Sequence, residues 1–202
     1  MKKKTVISII LTLCLALWSI RYYTFNGTFA LHSQYPIEYH SMNDTIVFDE
    51  SMMSYGVLYQ PGYSICLNNA RIVTLEDYLA ETGKSTEDFS VTSEKYVELT
   101  FDISNNGDFG GGLSLYGLPL IGDNWYTFYD GEMTACINTF EQDLSYVDMI
   151  IVEKGKTSTL KVAYNLYSYR FLPGEFENIE NEDMWVCATK RPTEKYIKIE
   201  IS

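Results

Sequence analysis

The chain has 202 residues, of which 27 are acidic and 15 basic, for a formal net charge of −12. All the acids lie beyond Tyr23, so the body of the protein repels nucleic acid and anionic lipid. Hydrophobic residues make up 46% of the chain and aromatics 15%, which excludes a disordered segment and fits one domain with a real core.

Lys2-Lys3-Lys4 followed by the apolar run from Thr5 to Ile20 has the form of an export or anchoring signal. As a helix that run spans about 24 Å, short of a ~30 Å hydrocarbon core. Arg21, Tyr22 and Tyr23 extend it with side chains suited to the interface. Two outcomes stay open. Retained, the segment is a single-pass signal anchor with the carboxyl-terminal domain outside the cell; cut near Ser19 or Ala30, it releases a secreted protein. Cys14 follows Leu13 inside the run, which is not a lipoprotein arrangement. The expected plan is a signal anchor over residues 1–23, a polar stalk over 24–44, and an extracytoplasmic domain over 45–202.

Strand signals then recur. Gly56 to Leu58 is a short candidate, Pro61-Gly62 a turn, and Tyr63 to Ile72 alternates loosely. Thr74 as cap, Asp77 three residues on and Gly83 as stop predict a short helix. In Tyr96 to Ile103 the residues Val97, Leu99, Phe101 and Ile103 share one face, against Tyr96, Glu98, Thr100 and Asp102. That period of two predicts a strand with one buried and one wet face. Asn105 to Asp108 supplies a turn, and Leu113 to Leu118 is expected to return beside this strand. Trp125 to Tyr129 and Thr134 to Asn138 read as a hairpin around Asp130-Gly131. Met149 to Val152, Leu160 to Leu166, Trp185 to Thr189 and Tyr196 to Ile201 complete the set. Seven to ten short strands with one helical insertion predict an all-β, immunoglobulin-like antiparallel β-sandwich.

Three stretches carry a family resemblance: Gly62-Tyr63-Ser64-Ile65-Cys66-Leu67-Asn68-Asn69-Ala70-Arg71-Ile72, Lys95 to Gly107, and Arg191 to Ile201. With the leader they cover about half the chain, which resembles an uncharacterised family of small membrane-anchored or secreted Gram-positive bacterial proteins with an immunoglobulin-like domain. The resemblance implies an extracytoplasmic sandwich and transfers no catalytic residue.

The chemistry-bearing residues exclude more than they assign. The two histidines, His32 and His40, fall in the expected stalk, leaving the body without a base for Ser–His–acid or Cys–His chemistry. Asp102 to Asp108 resembles the start of a calcium loop, but its twelfth position is Leu113 where a bidentate Glu is required. Gly110 to Gly112 lacks the Lys-Ser/Thr of a phosphate loop. No catalytic group, metal site or cofactor motif emerges. Beyond the leader lie Cys66, Cys136 and Cys187. Either Cys136 and Cys187 form a disulfide, each sitting in an expected strand, or all three are buried thiols.

Aromatic side chains are the remaining signal. Trp125 and Tyr129 share one face of an expected strand, opposite Tyr126 and Phe128, so one pair can enter the core while the other forms a recognition surface. The expectation is a non-enzymatic envelope module that contacts the membrane through its leader and binds an envelope protein, peptide or glycan. The alternatives are a structural or protective ectodomain without a ligand site and, last, a secreted hydrolase. No oligomeric state is implied.

Overall fold

The computed structural model describes residues 12–19, 21, 35–59, 61–108, 111–140 and 146–201. The chain divides into Met1–Pro36 and Ile37–Ser202. In the first unit residues 12–19 are helical with Leu13, Leu15, Leu17 and Trp18 exposed. No helix among the described residues is long and apolar enough to cross a membrane; most of the apolar run read as an anchor lies outside them.

The second unit is built mostly of β-sheet. Its strands are β1 (Ile37–His40), β2 (Thr45–Val47), β3 (Met53–Ser54), β4 (Val57–Leu58), β5 (Tyr63–Thr74), β6 (Lys95–Asn105), β7 (Leu113–Ser114), β8 (Leu120–Ile121), β9 (Tyr126–Thr127), β10 (Met149–Ile150), β11 (Lys156–Leu166), β12 (Trp185–Thr189) and β13 (Glu194–Lys198). Helix α1 (Leu75–Thr82) follows β5 and α2 (Gly131–Ile137) follows β9. One sheet has the order β11-β6-β5-β2 and a second β1-β13-β12-β8-β9, with β10-β7 and β3-β4 as small ribbons.

Both larger sheets feed one hydrophobic cluster, in which Leu67, Leu99, Phe101 and Val162 meet Leu120, Val186 and Ile197. The alternation expected in β6 is present, with Val97, Leu99, Phe101 and Ile103 all buried. Its other face is wet only in part. Helices α1 and α2 cover one end, where Val73, Tyr78, Tyr96, Met133 and Ala163 form a second cluster. Glu98 is buried there as well, held by Arg71.

Helix α1 obeys the local code. The Thr74 hydroxyl accepts from the Asp77 amide at 3.2 Å, and Gly83 stops the helix with φ 68°, a left-handed conformation that glycine adopts freely. Glycine is also demanded where two turns meet. Gly62 has φ 90°, and a Cβ there would collide with the backbone of Gly107.

Several expectations change. The folded body begins at Ile37 rather than 45, because β1 pairs in parallel with β13, His40 lying opposite Ile197; residues 37–44 are therefore not stalk. Thr134 to Asn138 is not a strand but lies in and just beyond α2: Asp130 is its N-cap, accepting from the Met133 amide at 2.9 Å. Leu113 to Leu118 does not return beside β6, whose neighbours are β5 and β11. Only Leu113–Ser114 is strand, pairing with β10.

Of the two readings left open for the cysteines, the structure has Cys66, Cys136 and Cys187 as free thiols, without the Cys136–Cys187 bridge. Cys136 lies on α2, packed with the helical cluster. Cys187 lies on β12 in the other sheet.

Candidate functional site

The register of the five-stranded sheet lines up one outward row of side chains. Tyr39 stands opposite Tyr196, Tyr196 opposite Cys187, Trp185 opposite Ile121, and Ile121 opposite Tyr126. Because side chains alternate along each strand, Leu120, Val186, Ala188 and Ile197 point the other way into the core. The Tyr39 and Tyr196 rings stack with centroids 6.0 Å apart.

The β3–β4 hairpin arches over the middle of this row. Its Met53 amide donates to the Arg191 carbonyl at 3.1 Å, and the Met53 carbonyl accepts from Lys190 at 2.8 Å. Ser54 thereby sits with its hydroxyl 4.0 Å from the Cys187 sulfur. Burial pushes the Cys187 thiol up to about 11. At the hairpin tip Tyr55 (φ 46°) and Gly56 (φ 84°) are both left-handed, the requirement of a two-residue turn with native twist. Tyr55 presents its ring edge-to-face with Phe128 at 5.7 Å. Burial lifts its phenol to about 12.

Of the four aromatics singled out in the sequence, Trp125 (9% exposed) and Tyr129 (7%) turn inward. Tyr126 is 58% exposed and Phe128 half-buried. The Trp125 indole donates to a Glu182 carboxylate oxygen at 2.9 Å and meets Phe171 edge-on at 5.1 Å. The Tyr129 hydroxyl lies 3.5 Å from that of Tyr146, which lies 3.4 Å from that of Tyr116. Burial, then the bond to Tyr146, raises the Tyr129 phenol well above its ordinary range. Phe128 joins the inner and outer rings, meeting Tyr126 at 5.8 Å and Tyr116 at 6.1 Å.

Two open hollows flank Tyr126. The first, about 430 Å³, is lined by Asn124, Trp125, Tyr126, Thr127, Phe128 and Arg170. The second, about 390 Å³, is floored by Ile121 and walled by Tyr55, Tyr126 and Tyr196, with Asp123 and Lys190 also lining it. Asn124, Trp125 and Tyr126 belong to both, and of the three Tyr126 offers the most exposed ring. Each hollow has a cation steadied by rings. Arg170 lies over Tyr167 at 5.2 Å and Tyr169 at 5.8 Å. Lys190 lies over Tyr196 at 5.0 Å and Tyr55 at 5.8 Å. It donates to the Tyr196 hydroxyl at 2.5 Å, and that hydroxyl donates to Glu194 at 2.6 Å.

Sequence reasoning located Trp125, Tyr126, Phe128 and Tyr129 but missed Tyr55, Arg170, Lys190 and Tyr196, which the fold brings from three other segments. Of the histidines, His40 sits in β1 with Nε2 3.6 Å from Glu38, and His32 lies outside the described residues. The polar neighbours of Cys187 include the Ser54 hydroxyl and the Thr189 carbonyl, and Tyr196 also lies against it. Such a surface is equipped for stacking and hydrogen bonding. Comparison with curated proteins and with solved structures returns no match. Residues 37–195 match a family model described as a domain of unknown function, DUF5028, and the chain belongs to that family.

Proposed function

We propose that this protein is a non-enzymatic, extracytoplasmic interaction module of the cell envelope, held at the membrane by its N-terminal apolar run and binding through the outer aromatic face of its five-stranded sheet. The leader, three lysines ahead of an apolar segment, supports the location. Two sheets closing on one core support an immunoglobulin-like β-sandwich body. The resemblance read from the sequence supports a Gram-positive source.

The observation carrying the binding role is the exposed aromatic face around this row. Tyr39 and Tyr126 of the row and Tyr55 of the hairpin above it are all exposed on a chain of net charge −12, where solubility alone favours polar side chains. Clustered exposed rings of this kind mark recognition surfaces. The test is adsorption of the purified full chain to envelope material from Gram-positive cells. Retention of the native chain and loss with Tyr126→Ala and Tyr55→Ala supports the proposal. Equal, negligible adsorption of all three overturns it in favour of a shielding ectodomain, the role a uniformly acidic surface serves.

A further inference from the structure

We infer that the two hollows astride Tyr126 form one subsite for an uncharged glycan, with neighbouring sugar rings seated on either side of the Tyr126 ring. This rests on the aromatic face being the binding face and names its ligand. Each hollow falls in the lower half of the ~300–1,000 Å³ range of small-molecule sites. The two share a wall, an arrangement suited to a ligand of repeated units.

The polar groups at the rims decide the chemistry. Arg170 and Lys190 are donors, Asp123 is an acceptor, and Asn124, common to both hollows, is both. A sugar hydroxyl both donates and accepts, and the C–H face of a sugar ring is apolar enough to lie on an aromatic ring. A site mixing exposed rings with both kinds of hydrogen-bonding group satisfies the two requirements together.

Charged ligands fit less well. A polyanion meets a protein of net charge −12. A polycation meets Arg170, which has no carboxylate partner among the described residues, and Lys190, whose attraction to a local acid is already used by Glu194 at 3.3 Å. An extended peptide adding to the sheet edge would need a longer strand than β9, which offers only Tyr126 and Thr127.

The experiment is calorimetric titration of the full chain, kept in a detergent without sugar headgroups, with chitohexaose, cellohexaose and maltohexaose at low and high salt. Polylysine and polygalacturonate serve as charged controls. Binding of at least one neutral oligosaccharide, unchanged by salt, is expected. Tyr126→Ala should weaken it about tenfold or more, a difference of ~1.4 kcal/mol, and Asn124→Ala should also weaken it. Tyr126→Phe should retain it, and unchanged thermal unfolding of each variant excludes misfolding. Absence of binding by all three neutral oligosaccharides, or binding confined to a charged control and lost at high salt, overturns the glycan assignment. If envelope adsorption still depends on Tyr126 in that case, the binding face stands and only its ligand is wrong.

Discussion

The Arg71 guanidinium and the Glu98 carboxylate face each other across neighbouring strands, Nε to oxygen at 2.8 Å, with Glu98 only 2% exposed. The same guanidinium reaches Glu81 on α1 at 2.9 Å, and the Lys161 ammonium lies 3.6 Å from Glu98. Arg71 thus ties the helix to the sheet and neutralises a buried acid. Removing one partner of such a pair leaves a charge without compensation. Arg71→Ala should lower unfolding free energy by about 3 kcal/mol in denaturant titration. Adding Glu98→Gln should recover part of that loss. A loss below ~1 kcal/mol would mean that Lys161 and water carry the carboxylate unaided.

Asp130 caps α2 while largely buried, and that burial is the first cause raising its carboxyl above 3.8. A raised acid favours the folded state at low pH and loses that contribution as pH climbs through its folded value. Asp130→Asn keeps an acceptor for the Met133 amide and removes the charge. It should match or exceed the native melting temperature at neutral pH, with the advantage shrinking toward acid. Asp130→Ala loses the cap and should cost about 1 kcal/mol.

Cys14, Cys66, Cys136 and Cys187 are all free. Denatured, unreduced protein should therefore titrate four thiols per chain with a chromogenic disulfide reagent. In the native state Cys187, sealed beneath Ser54 and Tyr55, should react far more slowly than Cys66 or Cys136. A total two thiols short would show that a bridge forms after all.

Alkaline stability follows from the same burial. Burial pushes the Cys187 thiol up from its ordinary 9.0 to about 11 in the folded chain. Its contribution is therefore intact below 9 and lost as pH rises from there. The slope for one such group is at most about 1.4 kcal/mol per pH unit. Melting curves of Cys187→Ala should fall less steeply than native between pH 9 and 10, below the range where the buried tyrosines join. Parallel curves would show that the thiol ionises equally in both states.

What the sequence disclosed was what neighbours along the chain decide. Thr74, Asp77 and Gly83 specify α1 within ten residues. The β6 alternation is written in one unbroken stretch. Helix α2 was lost because Asp130-Gly131 opens a hairpin turn or a helix equally well, and seven residues hold too few turns to show a helical period. Gly131 in fact serves a contact, as a Cβ there would strike the Tyr146 ring. Strand β1 was lost because Ile-Glu-Tyr-His has too little alternation and its partner lies at the other end of the chain. The candidate site divides the same way. The pattern Trp125, Tyr126, Phe128, Tyr129 is local; which pair faces inward was left open by the sequence, and the fold turns Trp125 and Tyr129 to the core. The hollows around it depend on Tyr55, Arg170, Lys190 and Tyr196, whose approach is set by register and by an arching hairpin.

Glu194–Lys198 lies between Ile37–His40 and Trp185–Thr189, so a strand made more than 150 residues after Ile37–His40 fills the middle of a layer. Until it emerges from the ribosome, Ile37–His40 has no neighbour to zip against and Val186 lacks its facing Ile197. A chain lacking residues 194–198 cannot close this layer, because both Ile37–His40 and Trp185–Thr189 lose the strand that joins them.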